Sequence, residues 1–254
     1  MVACRSFFVN DCRNEVNMPI ILLISWSCLM YSIVVSKLIN RLRFQGGAMS
    51  DLLSYEKEYW NLSYQHIAGI DEVGRGCLFG DVVAAAVILP QGLIIEDIND
   101  SKKLSPKKRD LLYDVILEQA IAVGVGLVDA QTIDQINIKQ ATRLAMKIAV
   151  EKLSVNPDFL LVDAEKVDVN IPQLAVIKGD ASSQSIAAAS IIAKVTRDRL
   201  CLGEWNAMYP EYGIAVHKGY ATKMHREQIQ VLGPTPMHRR SFMKNLFVQE
   251  QTLF

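Results

Sequence analysis

Five short apolar runs, each ended by glycine, proline or a charge, do most to limit what this chain can fold into. Gln65–Asp71 (QHIAGID) reads as a strand that breaks at Gly74-Arg75-Gly76, and Asp81–Leu89 (DVVAAAVIL) as a second that stops at Pro90. Ile121–Val128, Phe159–Val162 and Leu174–Ile177 read as the third, fourth and fifth. Helical patterns lie between and after them. Ser105-Pro106 offers an N-cap with proline in the first helical position, opening a helix that runs to about Gln119. Ile133–Leu153 carries apolar residues at helical spacing, Ser185–Leu202 is a long alanine-rich helix, and Thr222–Leu232 is a last one closed by Gly233-Pro234. Three early strands at hairpin-like spacing and two later ones joined through helices predict an α/β fold. Its expected form is a mixed five-stranded sheet flanked by helices, with a C-terminal helical segment.

Residues 1–48 stand apart. From Val16 to Ser36 nothing is charged, and Lys37, Arg41 and Arg43 follow. The run sits at the lower edge of the roughly 17–25 residues that span a bilayer. The trailing cations would keep its C-terminal side in the cytoplasm. Met49-Ser50-Asp51 opens a polar, helix-capable stretch, as an ordinary start would. We read 1–48 as an apolar leader, either an over-extended start or a membrane anchor, and 49–254 as one catalytic domain.

Basic and acidic residues number 27 each, but the first 49 residues hold five basic and two acidic ones, leaving 22 against 25 in the remainder. Nucleic-acid binders are usually basic, so bulk charge argues mildly against one. A cluster of cation-binding carboxylates would account for part of the acidity. The five cysteines form no CxxC pair, and no Cys/His cluster has zinc spacing, which excludes a zinc finger and fits a reducing, cytoplasmic compartment.

Four carboxylates carry the chemical reading. Asp71 and Glu72 are placed where the first strand ends. In a continuing strand neighbours face opposite ways, so the glycines at 74 and 76 are needed to turn both toward one site. Asp163 ends the fourth strand, the position where α/β sheets gather functional groups. Asp198 lies on the long helix in line with Val195, Ile191 and Ala187, an inward-facing stripe on which an acid needs a partner or a metal. Read alone, Asp198 beside Arg197 and Arg199 also fits a solvated charge run. Together the four form an all-oxygen set without histidine or cysteine, suited to Mg2+ or Mn2+. Lys102, Lys103, Lys107, Lys108, Arg109, His238, Arg239 and Arg240 are candidate phosphate contacts. His217, His225 and His238 have no metal spacing.

Gly69–Leu89 (GIDEVGRGCLFGDVVAAAVIL) closely resembles ribonuclease HII, the type 2 ribonuclease H. The resemblance continues through Asp100-Ser101-Lys102, Leu161-Val162-Asp163, Lys178-Gly179-Asp180, Ser185–Asp198, His217–Thr222 (HKGYAT) and Leu232–Phe242 (LGPTPMHRRSF), in the family order. It implies a ribonuclease H-like fold and an endonuclease acting on RNA–DNA hybrids and beside single ribonucleotides in DNA. It implies two-metal hydrolysis leaving 5′-phosphate and 3′-hydroxyl ends. It maps the catalytic, metal-binding carboxylates onto Asp71, Glu72, Asp163 and Asp198. The ribonucleotide-sensing loop falls on Gly74, Arg75 and Gly76, the junction-stacking tyrosine on Tyr220, and a phosphate-binding lysine on Lys102. Three positions depart from the family's usual pattern: Cys77 and Asp81, where proline and proline or alanine are usual, and Ala164, in place of glycine and read as a mild change. The sister enzyme ribonuclease HIII usually has Gly-Lys-Gly where this chain has Arg75. A catalytically weak hybrid-binding module is the rival of a different class. Gln249–Phe254 (QEQTLF) loosely resembles peptides that bind the bacterial sliding clamp.

Overall fold

The computed structural model describes residues 52–99 and 101–244. The leader, Asp100 and the clamp-like tail lie outside the described residues. The five strands are β1 (Ile67–Val73), β2 (Val82–Ile88), β3 (Ala122–Val128), β4 (Phe159–Asp163) and β5 (Gln173–Val176). They form one mixed sheet in the order β3-β2-β1-β4-β5. The short connection from β1 to β2 makes that pair antiparallel, as is β2 with β3, whereas β4 is reached by a long helical crossover and lies parallel to β1. β5 extends the parallel half.

The helices are α1 (Ser54–Asn61), α2 (Pro106–Gln119), α3 (Ala130–Glu151), α4 (Gln184–Leu202), α5 (Glu204–Met208), α6 (Ile214–His217) and α7 (Lys223–Leu232). The expected N-cap at Ser105 is present, and Asp129, Ser183 and Thr222 cap α3, α4 and α7 in the same way. Such a cap typically contributes about 1 kcal/mol. The helical period over 133–153 hides a break: Asn137 sits at φ 66°, ψ 161° inside α3, and its side chain accepts from the Lys139 and Gln140 amides.

The strand period of two divides the core. Ala68, Ile70, Ala84, Ala86 and Leu160 face α3, while Ala85 and Val87 face α4 and α2. Small residues let helix backbone lie directly on strand backbone. A Cβ at Gly126 would stand 2.0 Å from the Ala145 carbonyl oxygen of α3, and one at Gly69 2.0 Å from the Ser185 carbonyl carbon of α4. The second contact seats the start of α4 on β1 and thereby aims the rest of α4 along the end of that strand. The short α5–α7 segment builds its own core around Phe79, Cys201, Trp205, Tyr212 and Ile229.

Candidate active site

β1 does not break before its acidic pair. It continues to Val73, pairing Asp71 with Ala85 and Glu72 with Ala84, so the expectation that the glycines at 74 and 76 release both carboxylates is corrected. The antiparallel ladder to β2 holds the strand straight, and Glu72 leaves the opposite side from Asp71. What gathers the acids is the parallel pairing. Ile70 stands opposite Val162, so the next residues, Asp71 and Asp163, follow on neighbouring strands about 4.8 Å apart and on the α4 face.

Each acid is held by a local partner. Asp71, 5 % exposed, accepts from the Glu72 amide (2.7 Å). Burial pushes its carboxyl well above the usual range, the Glu72 charge adds to this, and a hydrogen bond from Ser190 of α4 opposes it. Burial also raises Glu72, opposed by Arg75, whose Nη1 lies 3.2 Å from Glu72 Oε1. Glu72 Oε2 is buried with no hydrogen-bond partner among the described residues. Asp163 Oδ1 accepts from the Gly179 amide (2.7 Å), and Asp198 Oδ1 from Lys194 Nζ (2.8 Å) with Arg109 4.0 Å from Oδ2. Among the described residues no three His, Cys, Asp or Glu side chains are drawn close enough to enclose one ion. The chemistry of the set still fits a hard cation. All donors are oxygens, two have raised pKa values that a cation would lower, and one buried carboxylate oxygen has no partner.

Ser190, Lys194 and Asp198 lie at i, i+4 and i+8, one stripe of α4 facing the strand ends. Ser190 Oγ lies 2.9 Å from Ser101 Oγ, which ties the Ser101-Lys102 turn to Asp71. Lys102 stands at the rim, 79 % exposed, 3.5 Å from the buried Asp180 carboxylate. The Gly74–Gly76 loop follows β1 directly. A Cβ at Gly74 would meet Arg197 Nε at 2.4 Å, and its φ of +90° favours glycine, whereas a Cβ at Gly76 would meet nothing within 4 Å. Tyr220 is 40 % exposed and reaches the same loop, its hydroxyl beside the Cys77 thiol. The nine site residues expected from the sequence thus collect at one end of the sheet.

Two of the phosphate-contact candidates do not belong there. Arg239 and His238 are buried, not presented to a ligand. Arg239 bonds the carbonyls of Gly74, Arg75 and Gly80, and His238 bonds Thr235 and His225. Arg197 is likewise fully buried, whereas Arg199 is exposed, so the charge run around Asp198 is solvated on one side only. Sequence reasoning also passed over Ser190, Lys194 and Glu56. The serine and lysine were legible from their helical spacing to Asp198. Glu56 was not: its Oε1 accepts from Ser183 Oγ (2.6 Å), Ser185 N (2.9 Å) and Ser185 Oγ (2.8 Å), a contact across 127 residues that caps α4.

The sequence model of the family described as Ribonuclease HII matches residues 68–246. The ribonuclease HII of Alkaliphilus metalliredigens is 60 % identical over 200 residues, covering 76 % of this chain and 98 % of the relative. Among solved structures, the ribonuclease H2 of Pyrococcus horikoshii superposes with a TM-score of 0.61 at 25 % identity, covering 74 % of this chain and 99 % of that one. A chain in the PCNA:RNase HII complex from Archaeoglobus fulgidus gives 0.56 at 26 %, with 71 % and 96 % covered. Fold and matches together define a ribonuclease H, a metal-dependent endoribonuclease acting on RNA–DNA hybrids. The chain belongs to the ribonuclease HII family.

Proposed function

We propose that the enzyme cleaves both continuous RNA in hybrids and the backbone beside a single ribonucleotide in DNA, using Asp71, Glu72, Asp163 and Asp198 to hold two Mg2+ or Mn2+ ions. The observation that carries the metal reading is Glu72 Oε2, a carboxylate oxygen buried at the strand end with no hydrogen-bond partner among the described residues. Such an oxygen costs free energy unless a cation completes it. Bound divalent ions supply activation of water and neutralisation of the leaving 3′-oxygen in an in-line displacement, leaving 5′-phosphate and 3′-hydroxyl ends. A distant ribonuclease HIII structure is a complex with Mn2+, which is compatible with this donor set.

The chain's own residues then divide the work. Lys194 and Arg75 pair with Asp198 and Glu72, and would give those carboxylates up to a bound cation. Gly76, with open space where a Cβ would stand, lets backbone approach a 2′-hydroxyl, the group that marks a ribonucleotide. Arg75 and Gly74 complete that loop, and the exposed ring of Tyr220 stacks on the sugar beyond the junction. Lys102 at the rim meets a substrate phosphate. We assign the reaction to the cytoplasm, a reducing compartment that the free thiols of Cys77 and Cys201 fit, and the catalytic domain to residues 49–254.

The test compares a duplex holding one ribonucleotide with a continuous hybrid, with and without Mg2+ or Mn2+, for wild type, Gly76→Ala and Tyr220→Ala. Both variants should lose the single-ribonucleotide reaction preferentially and keep the metal requirement. Loss of a stacked aromatic costs roughly 1–3 kcal/mol, about tenfold to a hundredfold. Wild-type rates on both substrates for Tyr220→Ala would return that residue to a packing role.

A further inference from the structure

Two fully buried arginines stand behind the loops just described, and their described hydrogen bonds all go to backbone carbonyls. Arg197 of α4 donates from Nε to Asp81 O (3.1 Å), from Nη2 to Phe79 O (2.9 Å) and from Nη1 to Lys218 O (2.8 Å). One planar group therefore spans the β1–β2 connection and the turn that carries Tyr220. Arg239 donates from Nη1 to Gly74 O (2.7 Å) and Arg75 O (3.0 Å), and from Nε and Nη2 to Gly80 O (2.9 and 2.7 Å). The backbone adds a direct seam: the Leu78 amide donates to Gly219 O and the Arg239 amide to Leu78 O, each at 2.8 Å. Both loops are glycine where they touch Arg197. A Cβ at Gly74 would come within 2.4 Å of Nε, and one at Gly219 within 3.2 Å of Nη2 and 2.7 Å of Phe79 O.

Arg197 also lies over the Trp205 ring and Arg239 over the Phe242 ring, but a buried cation with no carboxylate hydrogen-bonded to it among the described residues is an expensive way to fill a core, since apolar residues of similar volume often serve stability as well or better. What a guanidinium adds is geometry: five donors fixed in one plane hold several carbonyls at set separations, which a lysine cannot do. We propose that Arg197 and Arg239 are positioning residues that fix the gap between the Gly74–Gly76 backbone and the Tyr220 ring, and so set discrimination for a lone ribonucleotide. The proposal rests on the reading of those two loops as the ribonucleotide-sensing pair. The substrate dependence follows from counting registers. A continuous RNA strand offers a 2′-hydroxyl at every step, so a shifted gap still finds a productive neighbour. A single ribonucleotide offers one, and a displacement of about 1 Å from productive geometry costs on the order of a hundredfold.

The experiment measures kcat and KM of the full chain on both duplexes for Arg197→Lys, Arg239→Lys and Gly219→Ala, with melting curves and metal titrations. Each lysine variant keeps the charge and loses the fork. Gly219→Ala keeps both guanidiniums and forces the seam apart. The expected result is a fall in kcat on the single-ribonucleotide duplex of roughly tenfold or more, against a much smaller loss on the hybrid, with KM and the metal requirement unchanged. An equal loss on both substrates, or an unchanged ratio, overturns the proposal. Should the lysine variants fail to fold, the ratio in Gly219→Ala decides alone. Tyr220→Ala run alongside separates the two readings. If it leaves the ratio unchanged, the sensing-pair reading falls and this inference with it. If it changes the ratio and the arginine variants do not, only this inference falls.

Discussion

Asp71 concentrates the chemistry of the site in one side chain. Its carboxyl is buried and crowded by Glu72 and Asp163, so its ionised form is disfavoured when no cation is bound. Asp71→Asn keeps an oxygen for the Glu72 amide and removes the charge. Cleavage should be abolished, and the metal-free protein should melt higher, by about 2–4 °C for each kcal/mol of repulsion relieved. A lower melting point would show that the carboxylate supports the fold. The same raised pKa should place an acid limb in the pH–rate profile, moving to lower pH as divalent concentration rises, because cations favour the ionised form. Ala164, immediately after Asp163, is the other informative residue. It lies at φ +47°, a left-handed conformation that costs a non-glycine residue about 1–2 kcal/mol. That explains the family's usual glycine and corrects the reading of the change as mild. Ala164→Gly should raise stability by about 1 kcal/mol in denaturant melts and leave the carboxylates in place.

At the scale of elements, the α5–α7 segment is organised by three buried histidines. His217 accepts from the Gly219 amide at Nδ1, so its Nε2 donates to Tyr212 O. His225 Nδ1 donates to Tyr220 O, leaving Nε2 to accept from His238, whose Nδ1 accepts from the Thr235 amide. Each ring is locked neutral in one tautomer. Burial lowers all three, His225 to about 4 and His238 to about 3. Their folded pKa values lie below the unfolded value of about 6.5, so the stability they contribute is present above that pH and is lost as pH falls toward 4 and then 3. Asp71 and Glu72, raised in the fold, act in the opposite sense: relief of their burial adds stability as pH falls. Metal-free melting between pH 7 and 4 should therefore decline more steeply in Asp71→Asn than in wild type. Parallel curves would show that the acids do not oppose the histidines. The element boundaries themselves were largely legible, because caps and turn residues are local; the break at Asn137 was not, since apolar spacing continues across it.

For the molecule as a whole, the two ends of the catalytic domain are tested by deletion. α1 is integral: Leu53 is buried, the Gln184 amide donates to Leu52 O, and Glu56 caps α4. A chain beginning at Met49 should be soluble and as active as the full chain, whereas one beginning at Leu62 should lose solubility because the first turn of α4 loses the Glu56 carboxylate and the Leu52 carbonyl, and β4 its aromatic cover from Tyr59. Equal solubility of the two truncations would contradict the integral role of α1. The tail beyond residue 248, outside the described residues, carries the resemblance to clamp-binding peptides. Purified bacterial sliding clamp should retain the full chain and release one lacking Gln249–Phe254. Retention of both ends that idea.

The sequence by itself determined the strands and the mixed α/β layer, and its motifs carried the family resemblance that nominates the four acids, the loop and the tyrosine. These depend on period, on turn residues and on short motifs, all read within a few neighbouring positions. Tertiary structure decided how the acids meet. β1 runs straight through Asp71 and Glu72, the parallel register with β4 sets Asp163 beside Asp71, and the seating of α4 on Gly69 turns the Ser190, Lys194 and Asp198 stripe toward the strand ends. It also decided which charges are inside. Arg197 and Arg239 look like solvated runs in sequence, because a cation's surroundings come from carbonyls far away along the chain. Here those carbonyls lie as much as 165 residues distant, at Gly74.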